Sequence, residues 1–252
     1  MFKKFLAGVG IGSAKVDTQL DKTRLVPGEN TSGKVVIRGG KVEQQVDRIH
    51  LFVMTEAVRE RDDKKYYEKV TIGSFQIASS FIIQPGEEKE IDFQFELPID
   101  TPPTLGKTKV WIQTGLDVPS AIDPTDRDYI TVDPHPIADT VLEALTKVLG
   151  FQLRKVEMEY SRRYRYVQEF EFYPGGEFRR DLDELEVIFF MNTSSADIRI
   201  QVDRRAKGLG GLFAEALDMD ESFVRLSISN DDCNQGIQYV ADILRNTIRQ
   251  YA

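Results

Sequence analysis

Cysteine is all but missing from this chain. Cys233 stands alone among 252 residues, so no internal disulfide can form and the fold must rest on burial and hydrogen bonding. Histidine is nearly as scarce, with only His50 and His135. Few side chains therefore titrate near neutral pH or offer a ready general base. Positive charge is in deficit, with 33 Lys and Arg against 41 Asp and Glu and a net charge of −8. That argues against nucleic acid as the main ligand, because phosphate binding needs a basic footprint. No run approaches the ~18–20 apolar residues of a membrane span. The start, MFKKFLAGVGIGSAK, has a basic pair, but its apolar part is short and broken by Gly8, Gly10 and Gly12, so it does not read as a secretory leader. Phe2, Phe5, Leu6 and Val9 fit one face of a short helix over residues 1–12. Docking on its own domain is the first reading of that face, and a membrane-surface anchor the lesser one. The expectation is a soluble, cytoplasmic protein.

What the chain does have is alternation. Residues 13–134 follow a period of two, clearest in EIDFQFEL, where Ile91, Phe93, Phe95 and Leu97 point one way and Asp92, Gln94 and Glu96 the other. A strand with one face on a core and one in water reads this way. Ile49, Leu51, Val53, Thr55 and Ala57 share a face in QQVDRIHLFVMTEAVRE, and KVWIQTGL and DYITV are further strands. Pro27-Gly28, Gly39-Gly40, Pro85-Gly86 and Pro102-Pro103 punctuate them, which is the pattern of a β-sandwich or barrel. Pro134-His135-Pro136 ends the run, and IADTVLEALTKVLG follows as a helix with Gly150 placed to cap it. Residues 135–150 thus form a helical linker. From Phe151 the strands resume as FQLRKVEMEY, YRYVQEFEFY, DELEVIFFMN, DIRIQVD and ESFVRLSIS. A C-terminal helix closes 151–252, with Asp231 or Asp232 as cap and a stripe of Ile237, Val240, Ile243, Leu244 and Ile248.

Several motifs invite a chemical reading. GENTSGKV matches a phosphate-binding loop at Gly28, Gly33 and Lys34 but puts Val35 where the Mg²⁺-holding hydroxyl belongs. Val35-Val36-Ile37 continues as a strand, not a helix, so the glycines are assigned to a hairpin turn. Asp117, Asp123, Asp126, Asp128 and Asp133 crowd one segment but fail the spacing of a Ca²⁺ loop. Turn caps and ion pairs with Arg127 account for them more simply. In YSRRYRYVQ, a strand would place Tyr160, Arg162, Tyr164 and Tyr166 on one face and Arg163 and Arg165 on the other. A solvated face gives the same pattern. Even so, Arg162, Arg163, Tyr164, Arg165 and Tyr166 are the best candidate partner-binding surface, with Arg204, Arg205 and Lys207 as an extension. His50 faces away from Ile49 and Leu51, His135 lies between prolines, and Cys233 has no histidine near it in sequence. No catalytic group, cofactor or metal site is read from them. The GLGG at 208–211 lacks a strand-to-helix setting and reads as a turn.

PGE followed by G-x-V-x-I, and FIIQPGEEKEIDFQFELPIDTPPT, resemble runs of the first arrestin sandwich. MFKKFLAGVGIGSAKVDTQLD, GLDVPSAIDPTDRDYITVDPHP and FEFYPGGEFRRDLDELEVIFF resemble the bacterial sporulation-control family called Spo-zero-M, across essentially the whole chain. That resemblance implies an all-β protein with two arrestin-like antiparallel β-sandwiches and a regulatory, non-catalytic role in sporulation. The partners it suggests are other cytoplasmic proteins or a second copy joined through edge strands. A carbohydrate- or metal-binding β-sandwich and a membrane-surface adaptor are the alternatives.

Overall fold

A computed structural model describes residues 14–61, 64–118, 125–204 and 223–252. The N-terminal segment, Asp123, Arg205, Lys207 and the GLGG stretch lie outside the described residues. Among the described residues, no helix is long and apolar enough to cross a membrane. The chain divides into two compact units. The first includes Lys69–Thr104 and Lys109–Asp133 with the described residues up to Glu56. The second takes Ala57–Glu68 and Leu105–Thr108 as well as everything described from Pro134 onward.

In chain order the first strands are β1 (Lys15–Leu20), β2 (Arg24–Leu25), β3 (Asn30–Arg38), β4 (Gln44–Val46), β5 (Arg48–Arg61) and β6 (Lys64–Ala78). Then come β7 (Phe81–Ile83), β8 (Glu88–Glu96), β9 (Val110–Asp117) and β10 (Thr125–Val132). In the first unit β1-β3-β8 forms one sheet and β5-β9-β10-β2 another, with β6 paired to β5. Val35, Ile37, Phe93 and Phe95 from one sheet meet Ile49, Leu51, Val53, Ile112 and Leu116 from the other. The inward set is the one that alternation picks out.

The phosphate-loop lookalike is part of this sheet. Val35 is fully buried on β3. Gly28 turns the chain at φ 82°, the i+2 position of a turn closed by Glu29 N–H donating to Val26 O at 3.0 Å. Gly33 has a different job, which corrects its assignment to the hairpin. It sits mid-strand, where a Cβ would stand 2.2 Å from the Gln19 carbonyl oxygen of β1. Lys34 Nζ pairs with Glu90 at 3.0 Å across to β8.

The second unit contains α1 (Pro136–Glu143), a π-helical turn Ala144–Val148, then β11 (Gln152–Ser161) and β12 (Arg165–Tyr173). A 3₁₀ turn at Gly176–Arg180 leads to β13 (Leu182–Met191), β14 (Ser195–Arg204), β15 (Phe223–Ser229), α2 (Asn230–Asn234) and α3 (Ile237–Arg249). β11 to β15 form an antiparallel meander in sequence order. Ile137, Val141, Leu145, Val240, Leu244 and Ile248 cover one face, packing on Val156, Phe170, Phe172, Leu185, Val187, Ile198 and Ile200. The expected second sandwich is therefore corrected. Among the described residues this unit is one sheet backed by helices, because two amphipathic helices supply the apolar layer that a second sheet would. Nor is the pairing wholly antiparallel: β2 runs parallel to β10, and Val58 of β5 lies parallel to Glu159 of β11.

The C-terminal helix also differs from its expectation. Gly236 at φ 99° splits it into α2 and α3. The cap is Ser229, whose side chain accepts from Asp232 N–H while the Asp232 carboxylate accepts from Ser229 N–H.

Candidate functional site

The tyrosine–arginine segment is not a strand face. Arg162, Arg163 and Tyr164 form the turn between β11 and β12, with Tyr160 opposite Tyr166 and Ser161 opposite Arg165. The strand reading is thereby corrected. Ser161 Oγ accepts from the Arg163 and Tyr164 amides, and Arg165 takes the left-handed conformation at φ 67° that lets the chain return. The aromatics are put to local use. Tyr164 packs on Phe190 at 4.8 Å between ring centroids, Tyr160 lies edge-on to Tyr166, and the Arg59 guanidinium stacks over Tyr160 at 4.2 Å. Tyr166 donates to Glu68 at 2.9 Å. Arg162, Arg163 and Arg165 remain exposed at the tip.

Beside this turn, on the sheet face away from the helices, lies a group that no motif announced. β11 presents Lys155, Glu157 and Glu159, β12 presents Glu169 and Glu171, and β13 presents Glu184 and Glu186. Register sets like charges directly across from each other, Glu157 against Glu169 and Glu171 against Glu186, an arrangement that costs stability. Much of it is withdrawn from water: Glu157 is 3% exposed and Glu171 8%. Lys155 Nζ sits among them, 2.6 Å from Glu171, 2.7 Å from Glu159 and 3.5 Å from Glu157. Burial works against the ammonium, but those hydrogen bonds outweigh it and raise its pKa. Burial first, then the charges of Glu186 and Glu159, pushes Glu169 from its ordinary 4.5 up to about 8. Burial and the neighbouring Glu184 and Glu171 push Glu186 to about 7. The signal was present in the sequence as E-x-E in both VEMEYS and VQEFEFY. Only the pairing of the two segments makes one cluster of them.

The remaining candidates are dispersed. His135 caps α1, its Nδ1 accepting from Ile137 N–H at 3.3 Å, and burial lowers its pKa. Cys233 is half-buried in α2 and burial pushes its thiol up. His50 lines a 920 Å³ open groove in the first unit with Phe52, Lys69, Gln113 and Arg127. Two of the described aspartates meet partners outside their own segment. Asp133 pairs with Arg24 at 2.7 Å and Asp126 accepts from Thr18 N–H, while the Arg127 guanidinium stacks over Trp111. Burial and the nearby Asp126 raise Asp128 to about 6.

A family model described as "SpoOM protein" matches residues 2–206. The chain belongs to that family. Within it, the chain is 42% identical over 256 residues to the "Sporulation-control protein spo0M" of Bacillus subtilis (strain 168), covering all of this chain and 98% of the relative. The crystal structure of Spo0M from Bacillus subtilis matches with a TM-score of 0.86, over 96% of this chain and 100% of that one. Family membership accounts for the three segments on which the resemblance was drawn.

Proposed function

We propose that this chain is a cytoplasmic, non-catalytic regulator of sporulation that acts by binding other proteins, and that its two-sheet first unit is arrestin-like. The relationship supports the biological role, since the match to a protein named for sporulation control runs the full length of both chains. The observation that carries the binding mode is β6. This 15-residue strand pairs along its backbone with β5 and, among the described residues, with no other strand. Its open edge can pair with a strand of a partner or of a second copy. Tyr66 and Tyr67 on that strand are 50% and 63% exposed, large amphipathic side chains suited to an interface. Lys64, Lys65 and Lys69 flank them, charges that discourage indiscriminate edge pairing while leaving a specific acidic partner welcome. The dispersal of His50, His135 and Cys233 among a groove, a helix cap and a short helix supports the non-catalytic reading.

The test is complementation. Expressed in Bacillus subtilis lacking its own Spo0M, this chain is expected to restore sporulation control. The double variant Tyr66→Asp, Tyr67→Asp is expected to fold, by circular dichroism, and to fail. Full complementation by that variant would remove β6 from the mechanism.

A further inference from the structure

We infer that the groove on the outer face of the first unit binds a small phosphate monoester carrying a flat ring, a molecule of nucleoside monophosphate size. The strand register maps its floor. β9 lies between β5 and β10, and Val110, Ile112 and Leu116 point into the core, so Gln113 and Gly115 face outward. Across the three strands, one outward row is Phe52, Gln113 and Arg127, and the next is His50, Gly115 and Thr125. The second row is hollow at its centre, because Gly115 has no side chain. All of these residues, with Lys69 of β6, line the open groove of 920 Å³. That volume lies within the range of small-molecule sites, about 300–1,000 Å³.

Nothing in the protein itself asks for glycine at 115. Its backbone is not left-handed, and pairing runs through it on both sides without a bulge. A Cβ there would touch Phe52 Cε2 alone, at 3.7 Å, an ordinary contact. Gly33 and Gly39 differ, since a Cβ on them would stand 2.2 and 2.0 Å from backbone oxygens. Glycine weakens a strand, and where neither bulge nor packing requires it, it leaves room for a ligand to approach the backbone. The surrounding side chains set which ligand. Among the described residues, Lys69 and Arg127 form no ion pair with a carboxylate. The Arg127 guanidinium lies 4.9 Å from the centre of the Trp111 ring and reaches Tyr129 Oη at 3.5 Å. In a chain of net charge −8, two such cations in one groove match a dianion, and the guanidinium fork suits phosphate. Two carboxylates share the groove. Asp126 gives both its oxygens to backbone N–H groups, of Thr18 and Arg127, and Asp117 ends β9 across from Arg48. The rings of His50 and Phe52 stack at 5.7 Å and 15°, a flat wall for the ring of the ligand.

The test is titration of the full chain with adenosine monophosphate and with phenyl phosphate, followed by calorimetry and by the fluorescence of Trp111. That residue is the chain's single tryptophan, and it reports on the guanidinium stacked over it. Saturable binding is expected with a dissociation constant at or below about 1 mM, together with a change in Trp111 emission. Inorganic phosphate lacks the ring and benzoate lacks the second charge, so each should bind about tenfold more weakly or worse. Arg127→Gln should weaken binding by about tenfold or more, the worth of a charge-assisted hydrogen bond. Gly115→Val places a β-branched residue on a regular strand and fills the hollow, so it should abolish binding without lowering the unfolding midpoint. Lys34→Gln, in the phosphate-loop lookalike and paired with Glu90, should leave binding unchanged. Should Gly115→Val not fold, Arg127→Gln decides. No saturable binding of either probe up to about 10 mM overturns the inference. Undiminished binding in Arg127→Gln or in a folded Gly115→Val does so too, as does inorganic phosphate or benzoate binding as tightly as the ringed esters.

Discussion

The two faces of the β11–β15 sheet are built from the same strands yet obey opposite rules. Toward the helices, Phe170, Phe172, Leu185 and Val187 bury completely or nearly so, and each contributes the stability that burial of apolar area gives. On the reverse, alternate positions of the same strands hold Glu169, Glu171, Glu184 and Glu186. Desolvation that helps the first face penalises the second. The difference teaches that the acidic face is not what folds this unit. Lys155 stands opposite Glu171 and pairs with Glu171, Glu159 and Glu157, which offsets part of that penalty.

The comparison can be broken from the apolar side first. Phe172→Ala removes a side chain with no exposure and should lower unfolding free energy by about 3–5 kcal/mol, read by urea denaturation. Acidity gives the next effect. In the unfolded chain Glu169 and Glu186 titrate near 4.5, whereas in the native chain they titrate at about 8 and about 7. Between those limits the native state holds protons that the unfolded state has released. Stability therefore falls as pH rises from about 4.5 to about 8, by roughly a few kcal/mol over the window. In metal-free buffer Glu169→Gln should flatten that slope and be more stable than the parent at pH 9. Lys155→Met strips the acidic face of its internal counter-ion. It should cost about 2 kcal/mol near neutral pH, less than a fully buried pair because the ammonium is partly exposed. Smallest is Ser229→Ala, which deletes the capping box of α2 and should cost about 1 kcal/mol without altering the pH slope.

Much of the first unit was legible in the sequence. Ile91, Phe93, Phe95 and Leu97 alternate because one face of β8 packs on a core and the other meets water. β6 was not read as a strand. Lys64, Lys65, Tyr66 and Tyr67 are all exposed, so that end offers no alternation to read. The helix at Pro136–Glu143 followed from its apolar spacing, but its continuation as a π-helical turn leaves no mark in composition. That the same helix backs a sheet, replacing a second sandwich layer, depends on packing between segments far apart in the chain. The site was the least visible part. Arginines and tyrosines drew attention because they cluster within one segment, whereas the glutamates become a cluster only when β11 pairs with β12 in the register that sets Glu157 against Glu169. Periodicity reports which way a residue points and is silent about what stands beside it on the next strand.

The central claim, that the reverse of this sheet holds carboxylates under desolvation and mutual repulsion, is tested most directly by following the side-chain carboxyl carbon of Glu169 by NMR across pH in metal-free buffer. A midpoint near 8 is predicted. A midpoint near 4.5, the value of an ordinary solvated glutamate, would contradict it.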